Sequence, residues 1–176
     1  MEDFKSLLAA EFSPYGAISP QQLNLLEEHY HLLLRWNQKI NLTRITSLQD
    51  AVRYHYCESL YLAMRLPEGP LRIVDIGSGG GFPGIPVAIY RSESAVDLVE
   101  SNQRKAVFLG EATRGLTNVR VLARRAEEVI DSYDWMISRA VRPRDVLSLN
   151  FAPRVAVLGT EGQRLPWGEK RALFLS

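Results

Sequence analysis

The chain has 176 residues, of which 46% are hydrophobic and 23% are charged, as is ordinary for one globular domain with a small appendage. A single cysteine, Cys57, excludes an internal disulfide framework and a cysteine-rich metal site, and no apolar run is long enough to span a membrane. The net charge of +1 gives no global signal for nucleic acid. We therefore expect a cytoplasmic protein with no metal site and no membrane contact.

The first 66 residues are predicted to be helical. Apolar residues recur with helical spacing over residues 23–36 and again over 48–64, and residues 41–47 interrupt the pattern. The segment 67–70, Pro-Glu-Gly-Pro, is typical of a turn and marks a boundary. We expect a helical N-terminal extension over residues 1–66.

From residue 71 onward, apolar runs alternate with amphipathic segments. The predicted strands cover residues 71–76, 95–99, 119–122, 135–138, 155–158 and 172–175. The predicted helices cover residues 84–90, 103–116, 126–130 and 142–149. Strands separated by helices predict βαβ units, so we expect residues 71–176 to form an α/β domain with a mostly parallel sheet. Ligands of such domains bind at the carboxyl ends of the strands.

A glycine-rich segment follows the first predicted strand. Residues 75–86 read DIGSGGGFPGIP, and glycine permits positive φ and close approach of a ligand to the backbone. The glycines at 79, 81 and 84 satisfy the G-x-G-x-x-G spacing, so a dinucleotide such as NAD has to be considered. That spacing alone is a weak signal. The segment predicts a cofactor loop before a helix without naming the cofactor.

Two details favour a ligand without phosphates. Counted from Gly77, the first glycine after the strand, Phe82 stands where the third glycine of a dinucleotide loop belongs. Pro83 and Pro86 remove two amide donors that a pyrophosphate would use. The loop is therefore better suited to a smaller ligand without phosphates.

Acidic and small residues follow the next two strands. Glu100 ends the second predicted strand, where a carboxylate can accept hydrogen bonds from both ribose hydroxyls of an adenosine. This holds for NAD and for S-adenosylmethionine alike. Ala126 and Glu127 follow the third strand and could flank the adenine, although they also resemble an ordinary helix start.

Six segments together resemble one family, the small-subunit ribosomal RNA guanine-N7 methyltransferases, also called the glucose-inhibited division protein B family. They occur in family order. The segments are WNQKINLT (36–43), HYCESL (55–60), DIGSGGGFPGIP (75–86), ESNQRKAVFL (100–109), RAEE (125–128) and SRAV (138–141). WNQKINLT is the most specific of them.

The resemblance implies a Rossmann-like, class I methyltransferase domain that uses S-adenosylmethionine to methylate N7 of one guanine in small-subunit (16S) ribosomal RNA. The chain departs from the family near its end, because residues 150–176 are compressed and leave little room for a last crossover helix. We therefore expect a shortened C-terminal end, with a short hairpin at the outer edge of the sheet.

The resemblance and the strand ends together identify cofactor residues. The resemblance implies contacts from Gly77, Phe82, Ala126, Glu127 and Arg139. Gly79 and Gly81 join this set as part of the loop, and Glu100 joins it from its position at a strand end. The expected cofactor is S-adenosyl-L-methionine.

The chemistry needs no general base, because N7 of neutral guanine carries a lone pair and no proton. We expect catalysis by positioning, to which Arg139, Asn41 and His55 are the candidate contributors. The candidate RNA-binding residues are Lys39, Arg44, Arg104, Lys105, Arg142 and Arg144. The expected partner is small-subunit ribosomal RNA or the ribosomal subunit, and the expected state is a monomer.

Two other functions fit the same residues. One is an S-adenosylmethionine-dependent methyltransferase acting on another RNA or on a small molecule. The other is a noncatalytic RNA-binding protein that retains the fold. Cofactor binding and methyl transfer separate the two enzymes from the binding protein, and the methylated substrate separates the enzymes from each other.

Overall fold

Helices form the N-terminal part of the chain in the computed structural model, which describes residues 2–176. The elements are α1 (Phe4–Phe12), α2 (Pro20–Asn37), α3 (Leu48–Asp50), a π-helical segment (Ala51–Cys57) and α4 (Glu58–Arg65). Helix α2 begins at a capping box, in which the Ser19 hydroxyl accepts from the Gln22 amide and the Gln22 side chain accepts from the Ser19 amide. The interruption predicted over residues 41–47 separates α2 from α3, as expected.

A seven-stranded sheet follows. The strands are β1 (Arg72–Ile76), β2 (Ala95–Val99), β3 (Val119–Leu122), β4 (Trp135–Arg139), β5 (Arg154–Gly159), β6 (Gln163–Arg164) and β7 (Ala172–Leu175). Their order across the sheet is β3-β2-β1-β4-β5-β7-β6, with parallel pairing from β3 to β5. The order reverses between β1 and β4, which is the switch point where such sheets bind ligands.

One connecting helix has its predicted bounds, and the other three are shorter than the sequence pattern predicts. They are α5 (Gly84–Tyr90), α6 (Gln103–Ala112), a 3-10 turn (Ala126–Glu128) and α7 (Pro143–Leu147). The helix predicted to reach residue 116 ends at Ala112, because the amides of Arg114 and Leu116 donate to carbonyls three residues back instead of four. The helix predicted to reach residue 149 ends at Leu147, before Asn150 takes a positive φ of 56°.

The N-terminal helices share one apolar core with the sheet. Along β1, Ile73 belongs to this core and Val74 to a second core on the opposite face, because successive strand side chains point to opposite faces. The first core also contains Phe12 of α1 and Leu26 of α2, both fully buried. The N-terminal helices therefore cover one face of the sheet.

The expected hairpin at the outer edge of the sheet is confirmed. β7 runs antiparallel to β5, and the two-residue β6 pairs antiparallel with β7. Ala172, at the start of β7, lies opposite Gly159, at the end of β5. The residues just before β7 therefore reach the carboxyl edge of the parallel strands. No helix within residues 2–176 is both long and apolar enough to cross a membrane.

Candidate functional site

The glycine loop after β1 is folded against the end of β2. Gly77, Gly79 and Gly81 have φ values of +69°, +54° and +99°, which side chains rarely adopt. The amides of Gly77 and Ser78 donate to the carbonyl of Val99 over 2.9 and 3.1 Å. A Cβ at Gly77 would point into open space rather than into protein. The loop therefore leaves room for a ligand beside its backbone.

The Glu100 carboxylate links this loop to the segment that follows β2. Its Oε1 accepts from the Gly79 amide at 2.8 Å, and its Oε2 accepts from the Asn102 amide at 2.9 Å. The residue is buried. Each carboxylate oxygen retains a second lone pair. The geometry is compatible with the prediction that Glu100 accepts hydrogen bonds from ribose hydroxyls.

Asp75 lies beneath the loop with one oxygen unsatisfied. Its Oδ2 accepts from the Gly84 amide at 3.0 Å, whereas its buried Oδ1 has no hydrogen-bond partner within residues 2–176. Burial raises the pKa of Asp75 to about 7, although the hydrogen bond from the Gly84 amide opposes this effect. A buried acceptor without a partner is typical of a site that a polar ligand completes.

A cavity of about 410 Å³ opens between the ends of β1, β2 and β3. It is lined by Ile76, Gly77, Val99, Ser101 and residues 124–127. Three of the predicted cofactor residues, Gly77, Ala126 and Glu127, therefore meet here. We call this space the cofactor cavity. The residues present fit an adenosine, because the wall combines apolar strand ends with the acidic side chain of Glu127 and open space beside Gly77.

A hydrogen-bonded series of side chains lies at the end of β4. Arg139 Nη1 donates to His55 Nδ1 over 2.7 Å, and His55 Nε2 lies 2.8 Å from Thr43 Oγ1. Because a guanidinium has no acceptor, Nδ1 must be unprotonated and the proton of the neutral imidazole resides on Nε2. Burial, and then the charge of Arg139, lower the pKa of His55 to about 2. His55 is therefore neutral at physiological pH.

The ring of Phe82 packs against both His55 and Arg139. The His55 ring stacks on the Phe82 ring at 4.3 Å between centroids and 8° between planes, and the Arg139 guanidinium carbon lies 4.9 Å from the same centroid. The Phe82 ring is buried. Phe82 was predicted as a cofactor residue, and its ring packs on the N-terminal helices, so any such contact has to come from its backbone.

His29 is a site residue that the sequence analysis missed. Its Nε2 lies 2.8 Å from the carbonyl of Gly80 in the glycine loop, and its Nδ1 lies 2.9 Å from the hydroxyl of Tyr56. The carbonyl can only accept, so Nε2 carries the proton and Tyr56 donates to Nδ1. Burial lowers the pKa of His29 to about 4. Its position between Leu26 and Leu33 on the apolar face of α2 was the available signal.

A second cavity, of about 1,090 Å³, opens over the end of β4. We call it the target cavity. Its walls come from residues 41–45, from Tyr54 and His55, from Arg139 and Ala140, and from residues 168–171. The three predicted positioning residues, Arg139, Asn41 and His55, thus line one cavity, together with the predicted RNA-binding residue Arg44.

The sequence analysis did not identify the wall that residues 168–171 contribute. Lys170 and Arg171 bring two cations to the target cavity just before β7. Arg171 is held by Glu58 of α4, whose fully buried carboxylate accepts from Nε at 3.0 Å and from Nη2 at 2.8 Å. Burial raises the pKa of Glu58, and the bonds from Arg171 oppose this.

The other predicted RNA-binding residues do not line the target cavity. Arg104 and Lys105 lie in the first turn of α6, after β2, and Arg142 and Arg144 lie at the start of α7, after β4. Lys39 is exposed just after α2. Arg142 donates to Asp145 over 3.0 Å. Within residues 2–176, no cluster of three or more His, Cys, Asp or Glu side chains is arranged to hold a metal ion.

Solved structures share the fold. A putative protein-L-isoaspartate O-methyltransferase from Plasmodium falciparum, solved with S-adenosyl-L-homocysteine, is 15% identical with a TM-score of 0.54 over 99% of this chain and 89% of that chain. A SAM-dependent O-methyltransferase from Thermotoga maritima is 20% identical with a TM-score of 0.52 over 73% of this chain and 50% of that one. The chain has the fold of the class I S-adenosylmethionine-dependent methyltransferases.

Sequence comparisons are more specific. The family described as "GidB: rRNA small subunit methyltransferase G" matches residues 22–160. Proteins named ribosomal RNA small subunit methyltransferase G are 35% identical over 170 residues in Moorella thermoacetica and 38% identical over 168 residues in Synechococcus elongatus. These matches cover 90% and 89% of this chain, and 70% and 69% of the two relatives. The chain belongs to the family of ribosomal RNA small subunit methyltransferase G.

Proposed function

We propose that this protein transfers a methyl group from S-adenosylmethionine to N7 of a guanine in small-subunit ribosomal RNA. The observation that carries the proposal is the family match over residues 22–160, several of whose motif residues line two cavities at the carboxyl edge of the sheet. The relatives that support it are named for methylation of small-subunit ribosomal RNA.

The residues of the cofactor cavity suit S-adenosylmethionine, which supplies a methyl group activated by a positively charged sulfur. In our proposal the backbone of Gly77, Gly79 and Gly81 lies against the cofactor, and Glu100 accepts from the ribose hydroxyls. Ala126 and Glu127 flank the adenine. The open space beside Gly77 and the unpartnered Oδ1 of Asp75 support this assignment.

The side chains of the target cavity act by positioning. His55 cannot serve as a general base, since its Nδ1 accepts from Arg139 and its Nε2 donates to Thr43. None is required, because N7 attacks with a free lone pair. Methylation places a positive charge on the guanine, so a guanidinium next to N7 would oppose the reaction. We therefore assign Arg139 to orienting the RNA or the cofactor rather than to contacting N7.

The partner we propose is small-subunit ribosomal RNA with the target base turned out of its stack. Arg44, Arg139 and Lys170 make the target cavity basic, because Glu169 is the one acid among its described lining residues and Glu58 balances the charge of Arg171. Both cavities are built within one chain, which supports action as a monomer. We propose a cytoplasmic location, where ribosomal RNA is available.

The test is mass spectrometry of small-subunit RNA from cells that lack this gene. We expect one N7-methylguanine to be missing, to return with the intact gene, and to stay missing with Gly79→Arg, which blocks the loop. Gly110→Arg is the matched control, since Gly110 is exposed on α6 with open space around it. Thermal unfolding of both variants verifies that they fold.

Methylation that persists with Gly79→Arg would refute the loop assignment. Calorimetric titration separates the cofactors, because we expect binding of S-adenosylhomocysteine and none of NAD. The reverse result would contradict the proposed function.

A further inference from the structure

The hydroxyl oxygen of Thr43, which lines the target cavity, accepts two hydrogen bonds. It lies 2.8 Å from His55 Nε2, and the bond from Arg139 to Nδ1 requires the imidazole proton to reside on Nε2. His55 therefore donates to Thr43. The Ile45 amide also donates to Thr43 Oγ1, over 3.0 Å. These two bonds occupy both lone pairs of the hydroxyl oxygen.

The remaining capacity of this hydroxyl is its own proton. The proton has no acceptor among the hydrogen bonds of residues 2–176, and Thr43 lines the target cavity. The backbone of Thr43 is fixed as well, because its amide and that of Leu42 donate to the side chain of Asn37 over 3.0 and 2.9 Å. The cavity therefore contains a preorganised donor that cannot act as an acceptor.

We infer that the Thr43 hydroxyl donates a hydrogen bond to O6 of the target guanine and thereby selects guanine over adenine. The inference rests on the proposed function. On the edge of guanine that carries N7, the neighbouring group is the acceptor O6, whereas adenine presents an amino donor there. A group that can only donate pairs with O6 and opposes the adenine amino group.

The neutrality of the donor also suits the reaction. N7 becomes part of a cation as the methyl group arrives, and a neutral hydroxyl on O6 opposes that charge less than a guanidinium would. His55 bonds Arg139 through Nδ1 and Thr43 through Nε2, so it fixes the guanidinium relative to the hydroxyl. The Thr43 hydroxyl, rather than the guanidinium, then contacts the base. Thr43 is thus assigned to base specificity, and His55 is its positioning residue.

The experiment combines two protein variants with two RNAs. Thr43→Val removes the hydroxyl at nearly constant volume, and Thr43→Ser is the matched control that keeps it. The RNAs carry either guanine or 2-aminopurine, which lacks O6, at the target position. Single-turnover methyl transfer is measured for each pair, and S-adenosylhomocysteine affinity and thermal unfolding are measured for each protein.

We expect either change alone, Thr43→Val or 2-aminopurine, to slow methyl transfer about 10- to 100-fold, as for one lost hydrogen bond to a base. The two changes together should cost no more than one, because they remove the same bond. Thr43→Ser should remain within about threefold of the wild type, as expected when the hydroxyl bond is retained. S-adenosylhomocysteine affinity should be the same for all three proteins.

Losses that multiply would overturn the inference, and so would a weakened S-adenosylhomocysteine affinity in Thr43→Val, which would assign the hydroxyl to the cofactor. If Thr43→Val does not fold, the wild type alone decides: equal rates on guanine and 2-aminopurine RNA would show that no donor contacts O6. Failure of the proposed function is a different result, in which the wild type does not methylate N7 of the guanine RNA at all.

Discussion

The two cavities at the carboxyl edge of the sheet are built in different ways. In the target cavity, Thr43, His55 and Arg139 form one hydrogen-bonded series packed on the buried ring of Phe82. In the cofactor cavity, residues 124–127 form a largely exposed turn, and within residues 2–176 no side-chain hydrogen bond holds Arg124, Arg125 or Glu127. Side-chain hydrogen bonds therefore fix the residues of the target cavity, whereas the turn of the cofactor cavity has no such bonds among the described residues.

This difference predicts separate effects of substitutions. Residues of the target cavity are bonded to side chains of the N-terminal helical segment, so substitutions of these residues should strongly affect activity. Substitutions of His29 and Gly84, which contact the glycine loop and Asp75 beneath it, should strongly affect stability. Residues of the exposed turn should affect cofactor affinity and leave stability unchanged. Four predictions test the contrast, beginning with the largest expected effect.

Arg139→Met should separate activity from stability. Burial lowers the pKa of the Arg139 guanidinium to about 10, and within residues 2–176 it forms no ion pair with a carboxylate. Replacing such a cation by an apolar side chain should leave the free energy of unfolding unchanged or raise it by about 1 kcal/mol. Methyl transfer should fall about 100- to 1,000-fold, as for loss of a preorganised donor.

Urea denaturation and single-turnover kinetics measure the two quantities. Arg114→Met is the control, since Arg114 is exposed just after α6 and its substitution should leave both quantities unchanged. A variant that loses activity only in proportion to the protein unfolded would argue that Arg139 has a structural role alone.

His29→Gln should weaken the dependence of the free energy of unfolding on pH, and the slope that remains includes the contribution of the buried His55. The pKa of His29 falls from its usual 6.5 to about 4 on folding, so below pH 6.5 the unfolded chain binds a proton that the folded chain refuses. The stability this residue contributes is present above pH 6.5 and is lost as the pH falls toward 4, by about 3 kcal/mol. Gln is uncharged and can bond both Gly80 and Tyr56.

The measurement is the free energy of unfolding of wild type and variant at several pH values between 4 and 7. His31→Gln, at an exposed position on the same helix, is the control and should retain the wild-type slope. Equal slopes in wild type and His29→Gln would contradict the burial of a neutral imidazole.

Gly84→Ala should destabilise the support of the glycine loop. An added Cβ would lie 2.3 Å from Leu98 Cδ2 and 2.5 Å from Asp75 Oδ2, both in the buried core. Overpacking of this kind costs about 1–3 kcal/mol. At Gly110, an exposed position within α6, nothing lies within 4 Å, and Ala should instead stabilise the protein by up to about 1 kcal/mol. Thermal unfolding should shift in opposite directions, and a stable Gly84→Ala would show that the core there can relax.

Glu127→Ala should give the smallest effect, and the effect should be confined to cofactor affinity. The side chain is exposed at the cofactor cavity, so the free energy of unfolding should change by no more than about 0.5 kcal/mol. Loss of one hydrogen bond should weaken S-adenosylhomocysteine binding up to about tenfold in calorimetry. Unchanged affinity would remove Glu127 from the cofactor site, and a large loss of stability would break the contrast between the two cavities.

Local patterns predicted the cofactor side well. The strand Ala95–Val99, the helix Gly84–Tyr90 and the positive φ of three loop glycines all follow from short-range chemistry, namely apolar runs and the lack of a Cβ. The prediction of an α-helix over residues 126–130 was wrong. Ala126–Glu128 forms a single 3-10 turn, which has too few residues for α-helical hydrogen bonds.

The target side depended on long-range contacts. Asn41, His55 and Arg139 were each predicted, but His55 and Arg139 are 84 positions apart, and no local pattern shows that their side chains are bonded. The sequence analysis included Thr43 in its most specific segment but assigned it no role. It did not single out His29, which lies among apolar residues on one face of α2. Both roles follow from donor and acceptor matching, which requires the folded geometry.

The ion pair between Glu58 and Arg171 has a consequence for the order in which the protein is made, since its partners are 113 positions apart. At about 5–20 residues per second, a ribosome adds Arg171 roughly 6–23 s after Glu58. During that interval the carboxylate lacks its cation, and burying it alone is unfavourable. The wall that residues 168–171 add to the target cavity is therefore completed only after the residues of its other walls have been synthesised.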